Sequence, residues 1–217
     1  MMQFSHSHKN WTAEDLSQMA SAMARVRSSA DAGFWPAALD EASWRQVEKR
    51  AEEIRHRAKR FVVAGVGGSG LGARTLTMLK PQAPLFFLEQ AEPTAVVRLR
   101  EEIGDLRELH WLWISKSGTT LEILADLQVV AAWYKEQGLN LAHFSTVIAE
   151  PRSSPLMNWA KQNEIFCLPI HSHVSGRFSV LTPAGLLPAA LAGINLKELA
   201  AGIQKVNPED PELLKLG

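Results

Sequence analysis

Five short apolar runs, each followed by a polar turn and then by a stretch with helical periodicity, occupy most of the sequence after residue 60. Apolar runs of this length suit strands that are buried on both faces. Because parallel strands are joined by right-handed helical crossovers, the alternation predicts an α/β fold, with a three-layer, doubly wound, five-stranded parallel sheet. The predicted strands are Phe61–Gly65, Leu85–Leu88, Trp111–Ile114, Phe144–Ile148 and Ile165–Leu168.

Helices are predicted before, between and after these strands. One begins at Thr12–Asp15, because a threonine hydroxyl can cap the first turn and acidic side chains favour the positive end of the helix dipole. We expect it to end near Ser28, with a loop around residues 31–36 and then a charged helix over residues 41–59. The further predicted helices cover residues 70–79, 94–103, 119–137 and 155–162, with a final helical region over 178–206.

This order of elements predicts three parts of the chain. Residues 1–60 form a helical lead-in packed on the domain, and residues 61–206 form the α/β domain. Residues 207–217 contain two prolines and several acidic residues, a composition typical of a linker, and we expect this one to lead toward a second domain.

Composition gives no support to two classes of partner, nucleic acids and membranes. The 217 residues carry 23 basic and 23 acidic side chains, so net charge gives no electrostatic reason to expect nucleic acid or a membrane surface. The longest apolar stretch, residues 180–194, is too short to span a bilayer and is interrupted by Pro183 and Pro188. With Cys167 as its single cysteine, the chain is expected to be a soluble, cytoplasmic protein.

A glycine-rich loop, GVGGSG at residues 65–70, follows the first predicted strand. Glycines let the backbone turn sharply and approach a ligand, and the helix that follows offers free N–H groups to an anion. The same loop fits G-x-G-x-x-G, and Glu89 at the end of the second strand could bind a ribose, so an NAD-dependent oxidoreductase is one alternative.

Hydroxyl groups dominate the turn after the third predicted strand, SKSGTT at residues 115–120. Hydroxyls and helix-start amides donate to phosphate oxygens, and Thr119 or Thr120 could also cap the helix. Because a dinucleotide fold has no need of a second anion site here, this turn argues against the oxidoreductase and favours a sugar phosphate. After the fifth strand, Arg177 follows a glycine and could stabilise negative charge that develops on oxygen.

Together, these three segments resemble the signatures of the glucose-6-phosphate isomerase family and, more broadly, of the sugar isomerase (SIS) domain. The matching stretches are residues 65–72, residues 115–122 and residues 176–194, in family order. The likeness extends from about Phe61 to Ile194. It implies an SIS-type domain with its strands in flavodoxin-like order. It also implies the isomerisation of glucose 6-phosphate to fructose 6-phosphate through an enediolate, without a metal or an organic cofactor.

The resemblance also implies roles for individual residues. Arg177 would face the enediolate, while Gly68 and Ser69 would contact the sugar phosphate. Glu122 matches a family glutamate that lies near the site. The residues that would hold the phosphate are Ser115, Lys116, Ser117, Thr119 and Thr120.

Two departures from the family pattern stand out. Ser175 replaces a glycine beside Arg177, so the loop would be strained if that position needed positive φ. The family's general base, a histidine and a lysine lie beyond the matched stretch. We therefore expect this chain alone to be inactive or nearly so, and the full-length protein to be a homodimer. A non-catalytic SIS module that senses a sugar phosphate is the other alternative.

A metal site is not expected. His171 and His173 form an H-x-H pair without an evident third ligand, and Cys167 has apolar neighbours that favour a small buried side chain.

Overall fold

A computed structural model describes residues 11–29 and 32–206, so the predicted linker at 207–217 lies outside the described residues. Its centre is a five-stranded parallel sheet in the order β2-β1-β3-β4-β5, which confirms the predicted flavodoxin-like order. Each predicted strand is present, with bounds shifted by no more than two residues. The strands are β1 (Arg60–Ala64), β2 (Leu85–Leu88), β3 (Leu109–Ile114), β4 (Ser145–Ala149) and β5 (Phe166–Pro169).

Helices precede the sheet, cross over between its strands and follow it. The first helix starts as predicted, since Thr12 and Asp15 form a reciprocal capping box. Short 3₁₀ turns lie at Leu106–Glu108, Leu141–Phe144 and Gly176–Leu181. The helices are α1 (Ala13–Ser28), α2 (Phe34–Ala38), α3 (Glu41–Arg55), α4 (Gly68–Thr77), α5 (Pro93–Glu102), α6 (Leu121–Glu136), α7 (Pro155–Gln162), α8 (Pro183–Leu191) and α9 (Leu196–Gln204).

Three helical regions differ from the prediction. The charged helix expected over residues 41–59 ends at Arg55. The stretch 31–36, expected to be a loop, contains the start of α2. The final helical region is broken, because Gly193 adopts φ +85 and Asn195 caps a new helix by accepting from the amides of Lys197 and Glu198. The break separates α8, which is buried along its whole length, from α9, in which Leu196 is buried.

Apolar side chains from alternate positions of the strands build one core on each face of the sheet. On one face, Leu112 and Ile114 of β3 pack with α3, α4 and α8. On the other face, Trp111 and Trp113 pack with α5, α6 and α7. Every residue of β3 is buried, as expected for a central parallel strand.

A polar cluster lies at the end of the sheet where β3 and β4 begin. Arg50 of α3 donates from Nε and Nη2 to the hydroxyl oxygen of Thr146, over 3.1 and 2.9 Å. Because the threonine oxygen accepts these bonds, its own proton is left for Nε2 of His110, 2.8 Å away. Burial, followed by the charges of Arg50 and Arg57, lowers the pKa of His110 to about 3, so the ring is neutral.

The loops after β1, β3 and β5 all lie at the opposite edge, where the strands end. This is the edge at which open α/β sheets bind ligands. Within the described residues, no helix is both long and apolar enough to cross a membrane.

Candidate functional site

The first loop turns directly from β1 into α4. Gly67 adopts φ +60, and a Cβ at Gly70 would lie 2.3 Å from the carbonyl oxygen of Gly65. Both positions therefore require glycine. Gly67 is also the N-cap of α4. Because glycine has no side chain, no side chain at this position caps the first amides of the helix. Gly68 and Ser69 form the first turn of this helix, and Ser69 is half-buried.

The second loop is held in shape by its own hydroxyl groups. The hydroxyls of Ser115 and Thr120 are 2.8 Å apart, and Ser115 Oγ also accepts from the amide of Gly118 over 3.1 Å. Ser117 Oγ accepts from both the amide and the hydroxyl of Thr119, over 3.2 and 3.0 Å. These bonds bring the hydroxyls together at the beginning of α6.

The prediction that Thr119 or Thr120 caps α6 is wrong. Thr120 occupies the N-cap position, but its side chain makes no capping bond because its hydroxyl pairs with Ser115 instead. The first turn of α6 is thus left without a side-chain acceptor, which is the condition that favours an anion at a helix start. Glu122 lies in this first turn and is exposed.

The third loop leads from β5 to the 3₁₀ turn that contains Arg177. The backbone of Arg177 packs against the first loop: a Cβ at Gly68 would lie 2.8 Å from the amide nitrogen of Arg177. Ser175 has φ −65, an ordinary value, so its Cβ introduces no strain beside Arg177. The departure from the family pattern at this position is therefore accommodated.

Lys116 connects the second loop with the third. Its Nζ donates to the carbonyl oxygen of Ser172 over 2.6 Å. Since Gly68 touches the backbone at Arg177, all three predicted loops are in direct contact or bonded to one another. The sequence-predicted residues of the three loops are thereby brought to one edge of the sheet.

Glu89, the carboxylate that the oxidoreductase alternative would use, pairs with a cation of its own chain. Its Oε2 accepts from Nη2 of Arg74 in α4 over 2.6 Å. A ribose would have to compete with this ion pair for the carboxylate.

Sequence reasoning missed Asp126, a buried carboxylate in α6. It is 2% exposed, and its Oδ2 has no hydrogen-bond partner among the described residues. Burial, followed by the negative charge of Glu122 one turn earlier, raises the pKa of Asp126 to about 6. The sequence contained a signal for its burial. Ile123, Leu127 and Val130 mark the inward face of the helix, and residue 126 lies on the same face.

The remaining polar candidates do not form a metal centre. Nε2 of His171 lies 3.7 Å from Oδ2 of Asp40, an ion-pair distance, and the described residues contain no group of three or more side chains that could hold a metal. Cys167 is half-buried; burial raises the pKa of its thiol, and Sγ lies 3.3 Å from the carbonyl oxygen of Ile165. This agrees with a small, unreactive side chain.

An apolar groove of about 550 Å³ adjoins the third loop. Arg177 lies on its wall with Phe34, Trp35 and Phe178, and the rings of Phe34 and Phe178 are 5.0 Å apart. Its apolar lining distinguishes it from the polar second loop.

Curated relatives share sequence with most of this chain. No protein-family model matches it. Among the most similar relatives is a glucose-6-phosphate isomerase of Thermus thermophilus, which is 35% identical over 162 residues, covering 73% of this chain and 39% of the relative. The matched part of the chain thus spans about two fifths of the length of these curated relatives.

Solved structures share its fold. A hypothetical protein of Thermus thermophilus superposes with a TM-score of 0.82 at 31% identity, covering 93% of this chain and 51% of the other. A glucose-6-phosphate isomerase of Chlamydia trachomatis superposes with a TM-score of 0.70 at 21% identity, covering 84% and 36%. The second likeness shows the fold alone.

Proposed function

This chain belongs to the glucose-6-phosphate isomerase family, and from that premise we propose that it is the sugar-phosphate-binding half of such an isomerase. The observation that carries the proposal is the convergence of three loops on one edge of the sheet. Gly68 packs against the backbone at Arg177, and Lys116 bonds to Ser172.

In this proposal the phosphate lies at the start of α6. The hydroxyls of Ser115, Ser117, Thr119 and Thr120 donate to its oxygens, together with the first amides of the helix. Two observations support this position: the hydroxyls are bonded in two pairs, Ser115 with Thr120 and Ser117 with Thr119, and no side chain caps the helix. Lys116 adds the positive charge.

The sugar extends from the phosphate toward the first and third loops. Gly68 and Ser69 contact it at the start of α4, and Glu122 lies at the rim of the site. Arg177 faces the reacting carbons, where its fixed charge stabilises the oxygen that becomes negative in the enediolate. The contact between the Arg177 backbone and the first loop supports this role.

Proton transfer requires groups that we assign to another part of a family-length protein. A positioned base commonly contributes about 10²- to 10⁴-fold to a rate. The chain alone therefore binds its ligand but isomerises it slowly or not at all, and the complete enzyme is a homodimer.

Calorimetric titration with fructose 6-phosphate tests the proposal. The wild-type chain should bind saturably, and the double variant Ser115→Ala/Thr120→Ala should lose most of the affinity because both paired hydroxyls are gone. The double variant Ser21→Ala/Thr75→Ala is a matched control: it removes one serine and one threonine hydroxyl that donate to helix carbonyls. It should bind like the wild type.

A titration with NAD separates this proposal from the oxidoreductase. If the chain binds NAD saturably and does not bind fructose 6-phosphate, the proposed function is wrong. The first loop would then be interpreted as a dinucleotide-binding loop.

A further inference from the structure

The ammonium group of Lys116 ties an exposed part of the third loop to the second loop. Nζ lies 2.6 Å from the carbonyl oxygen of Ser172. Ser172 is exposed and precedes Arg177 in the chain that follows β5. The bond therefore joins the anion-binding loop to the segment that carries the proposed catalytic arginine.

The backbone at Lys116 is held in place by hydrogen bonds to β4 and to the residue after it. The amide of Ser115 donates to the carbonyl of Ile148 over 3.1 Å, and the carbonyl of Lys116 accepts from the amide of Glu150 over 3.0 Å. Both partners lie at the end of β4, so the main chain on each side of the lysine is bonded to the neighbouring strand. The long side chain then reaches outward from the rigid sheet.

The segment that it reaches is anchored at its two ends. The amide of Ile170 donates to the carbonyl of Ala149 over 2.9 Å, and Val174 is buried. Between them, residues 171–173 are exposed. The bond from Lys116 acts on the middle of this exposed turn, from which the third loop continues through Val174 to Arg177.

We propose that Lys116 is a positioning residue for Arg177, and that it couples the occupancy of the second loop to the placement of the third. An ammonium group has three N–H donors, so the donor given to Ser172 leaves two for phosphate oxygens. An anion held by the second loop is then joined through one side chain to the segment that carries Arg177. The coupling rests on the proposed function. The bond from Lys116 to Ser172, which we call the tether, does not.

The tether can be tested without a ligand. In Lys116→Met, which keeps most of the length of the aliphatic chain, we expect the amides of residues 171–177 to exchange hydrogen about threefold to tenfold faster, as for the loss of one exposed, charge-assisted hydrogen bond. The matched control is Lys59→Met, which removes the same charge from the other end of the sheet, where Lys59 pairs with Glu108. Unchanged exchange in Lys116→Met overturns the proposal whatever the chain binds.

The coupling is tested by a double-mutant cycle with fructose 6-phosphate as the probe. If Lys116 only attracts the anion, Lys116→Met weakens binding by the same factor with or without Arg177→Ala. If Lys116 positions Arg177, the loss is several-fold smaller in the Arg177→Ala background. Equal factors overturn the coupling. A wild-type chain that binds no fructose 6-phosphate contradicts the proposed function and the coupling, while the exchange experiment still decides the tether.

Discussion

Gly68 lies against the peptide bond that joins Gly176 to Arg177, with 2.8 Å separating the place of a Cβ at residue 68 from both the Arg177 nitrogen and the Gly176 carbonyl carbon. Two loops from different strands thus meet backbone to backbone. A contact this close excludes every side chain larger than hydrogen, so the position of Arg177 depends on a glycine elsewhere in the sequence.

Replacement of that glycine should displace the third loop. We expect Gly68→Ala to lower the free energy of unfolding by about 1–3 kcal/mol, since rigid backbone faces the added methyl group. It should also weaken the binding of fructose 6-phosphate. Gly202→Ala is the control: residue 202 lies inside α9 with no atom near its Cβ, so alanine should be neutral or stabilise by about 0.5–1 kcal/mol. Urea unfolding and calorimetry measure both effects, and a Gly68→Ala variant as stable as the wild type would contradict the contact.

The second loop contains a glycine that is required for two separate reasons. Gly118 has φ +64, and a Cβ there would lie 2.1 Å from Oγ of Ser154, the residue that caps α7. Gly138 has φ +69 with open space around it, so Gly138→Ala measures the backbone cost alone, about 1–2 kcal/mol. Chemical denaturation should show Gly118→Ala to be more destabilising than Gly138→Ala. Equal losses would mean that Ser154 moves aside without cost.

Asp126 should make stability fall as the pH rises. Its pKa is about 6 in the folded chain, above the ordinary value of 3.8, so the folded state binds the proton more tightly. The stabilisation is complete below pH 3.8 and is lost as the pH rises through 6. Asp126→Asn, which resembles the protonated acid, should therefore be more stable than the wild type by about 1–3 kcal/mol at about pH 7.5 and equal to it near pH 4. Urea titrations at the two pH values measure this difference, and destabilisation by asparagine at both would reveal a partner for the carboxylate.

His110 should act on stability in the opposite sense. Its folded pKa of about 3 lies below the ordinary value of 6.5, so the unfolded state takes up the proton first. Stability is complete above pH 6.5 and falls toward pH 3, by up to about 1.4 kcal/mol per pH unit. We expect His110→Gln to remove this acid sensitivity. Plotted against pH between about 4 and 7, the free energies of unfolding of the variant and the wild type should converge as the pH falls. A constant difference between them would contradict a neutral, buried imidazole.

The strands could be predicted because each signal was local. Runs such as Leu85–Leu88 are apolar, short and bounded by turn residues, so they identify buried strands without knowledge of their neighbours. The loops could be located for the same reason, since ligands in this architecture bind where strands end.

Contacts between distant segments could not be predicted in this way. The bond from Lys116 to Ser172 depends on how two loops are arranged in space, and no spacing in the sequence encodes it. The helix cap at Thr120 was predicted incorrectly because the side chain is directed toward the Ser115 hydroxyl and makes no bond to the first amides of α6. Ser175 shows the reverse case, in which an anticipated strain is absent because the backbone there has an ordinary φ.

The edge position of β5 has a consequence for how the site is completed. β5 is three strand positions from β1, a distance of about 14 Å, yet the residues just after β5 reach the helix that follows β1. The chain must therefore run back across the ends of β4 and β3. During synthesis the first two loops leave the ribosome before the third, and α8, which covers one face of the sheet, follows later still. A chain that stops before residue 176 would lack the peptide bond that packs against Gly68, so the start of α4 would lose its backbone neighbour.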